Sequence, residues 1–87
     1  MKLIALKALV AAIEEGSLRS ASRRLGLSQP ALTKTVRELE VELGAALLMR
    51  SSKGVVPTAQ GKVLFDQSLK TLREFDIAVD QIQPDSY

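Results

Sequence analysis

The chain has 87 residues, of which 46% are hydrophobic but only 3% aromatic, so we expect one small domain of helices packed around an aliphatic core. It lacks cysteine and histidine, which excludes disulfides, the usual zinc ligands and histidine-based acid–base catalysis. The net charge is only +2, yet cations concentrate at positions 17–37 and 50–62 and acids prevail from position 66 onward. This distribution favours a face that binds a polyanion, although uneven charge is also common in small proteins that have no such face.

Two short helices are predicted first. The first covers residues 2–15 and ends at Gly16, and its apolar residues recur at helical spacing: Leu3, Leu6, Leu9, Val10 and Ile13. The second begins after Ser17, a good N-cap, and ends at Gly26. Its apolar face comprises Leu18, Ala21 and Leu25.

A third helix follows after only three residues, 26–28. Ser28 is its predicted N-cap, Pro30 falls in its first turn, and Gly44 ends it. Its predicted buried stripe is Leu32, Val36, Leu39 and Leu43. Two helices joined by a three-residue turn with glycine are typical of a helix-turn-helix, although ordinary helical hairpins also use such turns.

The pattern then changes to two short apolar runs, residues 47–49 and 55–56, which predict a β-hairpin with its tip near Lys53-Gly54. Thr58 is the predicted N-cap of a final helix that continues to about Ile82, and residues 84–87 are expected to be frayed. The fold class is therefore mainly α. We expect a winged helix-turn-helix over residues 1–58, with three helices and a small β-hairpin wing, followed by a long C-terminal linker helix over 59–83.

The exposed side of the third helix carries residue types that suit base edges in the major groove of double-stranded DNA. Gln29 can bond adenine bidentately, Pro30 and Thr33 can contact a thymine methyl, and Lys34 can reach guanine or phosphate. Ser28 suits a phosphate oxygen at the helix N-terminus. The alternative is an ordinary solvated face with a capping serine.

Two neighbouring segments add cations. The hairpin tip offers Arg50, Ser51, Ser52 and Lys53, which can cross a phosphate strand and place a cation in the minor groove. Arg19 can clamp the DNA backbone, because the first helix of such a motif crosses the phosphates. The alternatives are a solvated turn at the tip and, for Arg23 and Arg24, solvent exposure or ion pairing.

The last helix carries a coiled-coil seam with three-and-four spacing. The seam consists of Phe65, Leu72, Phe75, Val79 and Ile82, with Ser68 in the gap and Leu64 and Leu69 widening the face. This seam predicts a homodimer, and hence a roughly palindromic DNA site. The alternative is that the helix folds back on the first helix of its own chain, and both arrangements can coexist.

Many of these positions also occur together in one known family. They include Leu6 and Leu9 and continue through the stretch GSLRSASRRLGLSQPALTKTVRELEVELGAALLMRSSKGVVPTAQG. The matching positions there are Ser17, Ala21, Leu25, residues 28–33, Val36, Leu39, Glu40, Leu43, Gly44, Leu47, Leu48, Arg50, Thr58 and Gly61. Over about residues 3–82 the chain resembles the N-terminal DNA-binding domain of LysR-type transcriptional regulators.

The resemblance implies a set of base-reading residues: Gln29, Pro30, Thr33 and Lys34. It implies a set of phosphate-binding residues: Ser28, Arg37, Arg50 and Ser51. It also places Lys53 in the minor groove and makes the last helix a dimerising linker. Family members carry a C-terminal effector-binding domain that is absent from this chain, and a small-molecule effector would bind there. We expect a DNA-binding fragment of a cytoplasmic regulator.

No constellation of residues suggests an enzyme, a cofactor site, a metal site or a membrane segment. Two non-enzymatic alternatives stay open. One is a protein-interaction module whose third helix binds an acidic partner, and the other is a purely structural dimerisation unit dominated by the last helix.

Overall fold

Four helices and one hairpin make up the fold of the computed structural model, which describes residues 1–83. The helices are α1 (Leu3–Glu15), α2 (Leu18–Leu25), α3 (Gln29–Leu43) and α4 (Ala59–Ile82), and the hairpin pairs β1 (Leu48–Ser51) with β2 (Gly54–Pro57). This order is that of a winged helix-turn-helix followed by a long helix, so the predicted fold class is confirmed. The expectation of a frayed tail at 84–87 falls outside the described residues.

Side-chain caps fix where three of the helices begin. The hydroxyl of Ser17 accepts the N–H of Ser20 at 3.2 Å, and Ser28 accepts the N–H of Ala31 at the same distance. Thr58 accepts the N–H of Gly61 at 3.0 Å. Each bond satisfies a backbone donor that the first turn of a helix leaves free, so the predicted N-caps are confirmed.

The core surrounds α1, which is buried on nearly all sides and contacts α2, α3, β2 and α4. Its predicted apolar face omitted four buried alanines: Ala5, Ala8, Ala11 and Ala12. Small side chains let neighbouring helices approach closely, and only a narrow strip of α1, which includes Lys7 and Glu14, is exposed to solvent.

The predicted stripe of α3 is confirmed at Leu32, Val36 and Leu39, all buried, but it is wrong at Leu43, which is 43% exposed. The chain turns at Gly44, and Leu47 instead packs beside Leu39 in the core. Helical periodicity alone did not show that the core ends before α3 does.

The hairpin is antiparallel, with Arg50 opposite Val55 and Ser51 opposite Gly54. Its turn residues are therefore Ser52 and Lys53, one position earlier than predicted. Gly54 lies so close to the α1–α2 turn that a Cβ there would stand 2.1 Å from the carbonyl oxygen of Gly16. The N–H of Val55 donates to that same oxygen at 3.0 Å, which fixes the wing to the helical core.

The two halves of α4 have different environments. Gly61 approaches Leu47 so closely that only a glycine fits, Leu64 packs on the core, and Ser68 is buried. Farther along, Phe75 is 48% exposed and Ile82 is 81% exposed. The first half therefore packs on its own domain, in agreement with the predicted alternative that this helix folds back on its own chain. The second half extends away from the domain. Among residues 1–83, no helix is long and apolar enough to cross a bilayer.

Candidate nucleic-acid interface

The predicted base-reading residues share one face of α3. Gln29, Pro30, Thr33 and Lys34 line a shallow open groove along this helix, together with Arg37 and, toward its C-terminal end, Glu38, Val41 and Glu42. Thr33 is half-buried and the others are exposed. They stand opposite the buried stripe, so packing of Leu32, Val36 and Leu39 against the core dictates which side chains of α3 face outward.

Ser28 combines two tasks at the start of α3. Its hydroxyl oxygen accepts the N–H of Ala31, which leaves the hydroxyl proton free to donate. The side chain is exposed. A serine that caps the helix and still offers a donor at the N-terminus suits a phosphate oxygen.

The predicted phosphate-binding residues gather between the helices and the wing. One concave surface is lined by Arg19 of α2, Gln29 of α3, and Arg50 and Ser51 of β1. An adjoining concavity is lined by Thr33, Arg37 and Arg50. Arg50 thus lies on both concavities, and together they form one groove between α3 and the wing.

The wing turn is held by Ser51. Its hydroxyl accepts the N–H of Lys53 at 3.2 Å and lies 3.4 Å from the carbonyl oxygen of Gly54, to which it donates. The hydroxyl therefore shapes the turn, and its bond to Gly54 is long enough that a phosphate oxygen can replace it. The side chain of Lys53 is exposed at the tip. Ser51 shapes the tip as well as lying beside the groove.

The cations of this groove have no acidic partner. Within residues 1–83, the ion pairs at or below 4.0 Å involve Arg24 and the N-terminal amine, and none involves Arg19, Lys34, Arg37, Arg50 or Lys53. Arg24 lies 2.9 Å from Glu14 and 3.3 Å from Glu15, and hydrogen bonding to these carboxylates raises the pKa of Arg24 above its ordinary value. The expectation that Arg24 is solvated or paired is confirmed. Beside the polar face of α3, Arg19, Lys34, Arg37 and Arg50 have no such partner.

Glu40 has a role that sequence reasoning missed. Its carboxylate oxygen Oε2 accepts the N–H of Leu47 at 2.7 Å and the N–H of Leu48 at 3.2 Å. The side chain also lines the concavity that Arg37 and Arg50 share. The available signals were its match to the family pattern and its position beside buried Leu39 in a helix that ends four residues later at Gly44, and neither signal points to these two hydrogen bonds.

The residues of the predicted dimer interface divide between two faces of α4. Phe65, Leu72 and Val79 are half-buried, whereas Leu69, Phe75 and Ile82 are exposed. Ile77 and Val63 are also exposed but lie outside the predicted seam. In the part of the chain that the structure describes, no group of three potential metal ligands comes together.

The fold and the cationic groove define a winged helix-turn-helix protein. Residues 3–62 match the family described as "Bacterial regulatory helix-turn-helix protein, lysR family", and the chain belongs to this family. The predicted resemblance is therefore confirmed.

Three known proteins illustrate the relationship. The small neutral protease regulatory protein of Streptomyces coelicolor is 36% identical over 81 residues, which are 93% of this chain and 26% of that protein. The nitrogen assimilation regulatory protein nac of Klebsiella aerogenes is 40% identical over 78 residues, 90% of this chain and 26% of that protein. A crystal structure of the BenM DNA-binding domain with catB site 1 DNA superimposes with a TM-score of 0.89 at 36% identity and covers 93% of this chain and 91% of that one. The chain thus spans about a quarter of the length of these two regulators and nearly all of the DNA-binding domain.

Proposed function

We propose that this chain binds double-stranded DNA sequence-specifically, as the DNA-binding domain of a LysR-type transcriptional regulator. The observation that carries the proposal is the set of unpaired cations around the polar face of α3: Arg19, Lys34, Arg37, Arg50 and Lys53. Unpaired cations along one groove match a phosphate backbone, and the adjacent polar helix face can read bases. The DNA complex of the similar BenM domain supports the same assignment.

The proposed roles follow position in the groove. The α3 helix, Gln29–Leu43, occupies the major groove, where Gln29, Pro30, Thr33 and Lys34 contact base edges. Arg19, Ser28, Arg37, Arg50 and Ser51 bind the sugar–phosphate backbone on either side. Lys53, at the tip of the wing over residues 50–54, enters the minor groove.

We further propose that the chain forms a homodimer through α4 and therefore binds a roughly palindromic site. The exposed Phe75 and Ile82 support this, because apolar side chains in helical register on a surface helix are typical of an interface. A two-fold axis would present two α3 helices to two half-sites. The working division is a DNA-binding unit over residues 1–58 and a dimerising helix over 59–83.

For the whole protein, we propose a cytoplasmic, non-enzymatic regulator whose small-molecule effector binds a separate C-terminal domain. The relatives support this because they are named as regulators and are roughly three and a half times as long as the present chain.

The test is fluorescence anisotropy with two duplexes over a range of salt concentrations. One duplex is an interrupted palindrome selected from a random pool by this chain, and the other is its scrambled version. We expect tighter binding to the selected duplex that persists at about 150 mM salt, where non-specific attraction has weakened strongly. Equal, salt-labile binding to both would contradict the proposal and favour a protein-interaction module.

A further inference from the structure

We infer that Glu40 is a positioning residue that fixes the position of the wing relative to α3. This lets α3 bind the major groove and the wing bind the minor groove of the same duplex at once. The inference rests on the proposed function. It starts from the two hydrogen bonds that the Glu40 carboxylate accepts, from the N–H groups of Leu47 and Leu48.

These two bonds connect the parts of the site that must act together. Glu40 belongs to the helix that carries Gln29 and Arg37, and the two N–H groups lie where the chain enters β1, which carries Arg50. Within residues 1–83 no other hydrogen bond joins α3 to the hairpin or to the two residues that precede it.

The other ties of the wing lead to different elements. Val55 is bonded to the α1–α2 turn at Gly16, and Thr58 bonds the carbonyl oxygens of Ala46 at 2.6 Å and Leu47 at 3.0 Å. These contacts keep the hairpin folded against the domain. Val55 also packs with Leu32 and Val36 of α3, so apolar contact holds the hairpin near this helix, and Glu40 adds the directional bonds that set its position.

Charge gives a second reason to assign a role to Glu40. A carboxylate in the concavity that Arg37 and Arg50 line would repel a phosphate, so its presence there is unfavourable for binding unless it does something else. Accepting two backbone N–H bonds is a task for which an anionic oxygen is well suited, since charge-assisted hydrogen bonds are the stronger ones.

The experiment compares three variants with the wild type on the selected palindromic duplex: Glu40→Ala, Glu40→Gln and, as matched control, Glu38→Ala. Glu38 is an exposed acid of the same helix that makes no hydrogen bond to the wing. Two footprints are read at saturating protein. Dimethyl sulfate reports guanine N7 in the major groove, and hydroxyl radicals report the sugars along the minor groove. Circular dichroism gives the melting midpoint of each variant, and all footprints are taken well below the lowest of these midpoints.

For Glu40→Ala we expect the major-groove footprint to persist, the flanking minor-groove footprint to disappear, and the affinity to fall about tenfold, the scale of one or two charge-assisted contacts. Glu40→Gln, which keeps an acceptor oxygen, should restore most of the minor-groove footprint. Glu38→Ala should keep both footprints and bind at least as tightly as the wild type.

Other outcomes would overturn the inference in distinguishable ways. If folded Glu40→Ala keeps both footprints, or loses both in parallel, Glu40 does not position the wing. If the wild type itself protects only the major groove, the inference fails while sequence-specific binding stands. If the wild type shows no preference for the selected duplex, the proposed function fails with it.

Discussion

Two helices, α3 and α4, each bury one side in the domain and expose the other, but the exposed sides differ in chemistry. On α3 the outer face carries Gln29, Lys34 and Arg37, whereas the free half of α4 carries Phe75 and Ile82. Unpaired cations are well hydrated and can remain in water until they bind a polyanion and displace the counterions condensed on it. Exposed apolar side chains in register favour association with another protein surface. This difference is the reason for proposing that α3 binds nucleic acid and that α4 binds a second copy of the chain.

The largest effect should come from separating the two copies. Changing Phe75 to Asp places a charge in the proposed seam, so we expect a monomer in sedimentation velocity. Affinity for a duplex with two half-sites should then fall about 100-fold or more, because the second half-site no longer benefits from a high effective concentration. Affinity for a duplex with a single half-site should change little.

Ile77→Asp is the matched control for this experiment. Ile77 is 49% exposed, nearly the same as Phe75, but lies two residues farther on and therefore on a different side of the helix. It should leave the dimer intact. If both variants dissociate the dimer equally, then the overall hydrophobicity of α4, and not a specific seam of side chains, determines whether two chains associate.

The next effect concerns base reading by α3. Gln29→Ala should weaken binding to the selected duplex by about 1–3 kcal/mol and relax the preference at one base position, since a bidentate amide contact is lost. Competition with duplexes carrying each base at each position would locate that change. Gln67→Ala, which loses only an exposed bond to Thr71 on α4, is the control. A uniform loss over all duplexes would mean that Gln29 does not read sequence.

A smaller and different effect is expected at the wing. Arg50→Ala should weaken binding to selected and scrambled duplexes alike, and the slope of log K against log salt should decrease by about 1, because one phosphate contact is lost. Arg24→Ala removes the same charge from a residue that pairs with Glu14 and Glu15, so it should leave the slope almost unchanged. A base-specific loss in Arg50→Ala would instead give Arg50 a reading role.

The sequence predicted those features of the fold that depend on contacts between residues close together in the chain. The helix-turn-helix was predictable because Ser17, Gly26 and Ser28 act on backbone groups within a few residues. Leu43 was misplaced, and the wing turn was shifted by one residue, because core packing and strand register decide where those elements end. Glu40 was noted only as a position shared with the family. Its hydrogen bonds were not predicted because its partners, Leu47 and Leu48, lie beyond a turn that helical periodicity does not describe.

The smallest effect tests the boundary between the two halves of α4. Ser68 is 1% exposed, and within residues 1–83 its hydroxyl has no hydrogen-bond partner. An unsatisfied buried polar group is unfavourable, so Ser68→Ala should raise the free energy of unfolding by about 1 kcal/mol. Chemical denaturation at one fixed protein concentration measures this, since association would otherwise shift the midpoint. Ser52→Ala, at the exposed wing turn, should stay within about 0.5 kcal/mol of the wild type. A loss of stability in Ser68→Ala would show that the hydroxyl finds a hydrogen-bond partner in solution.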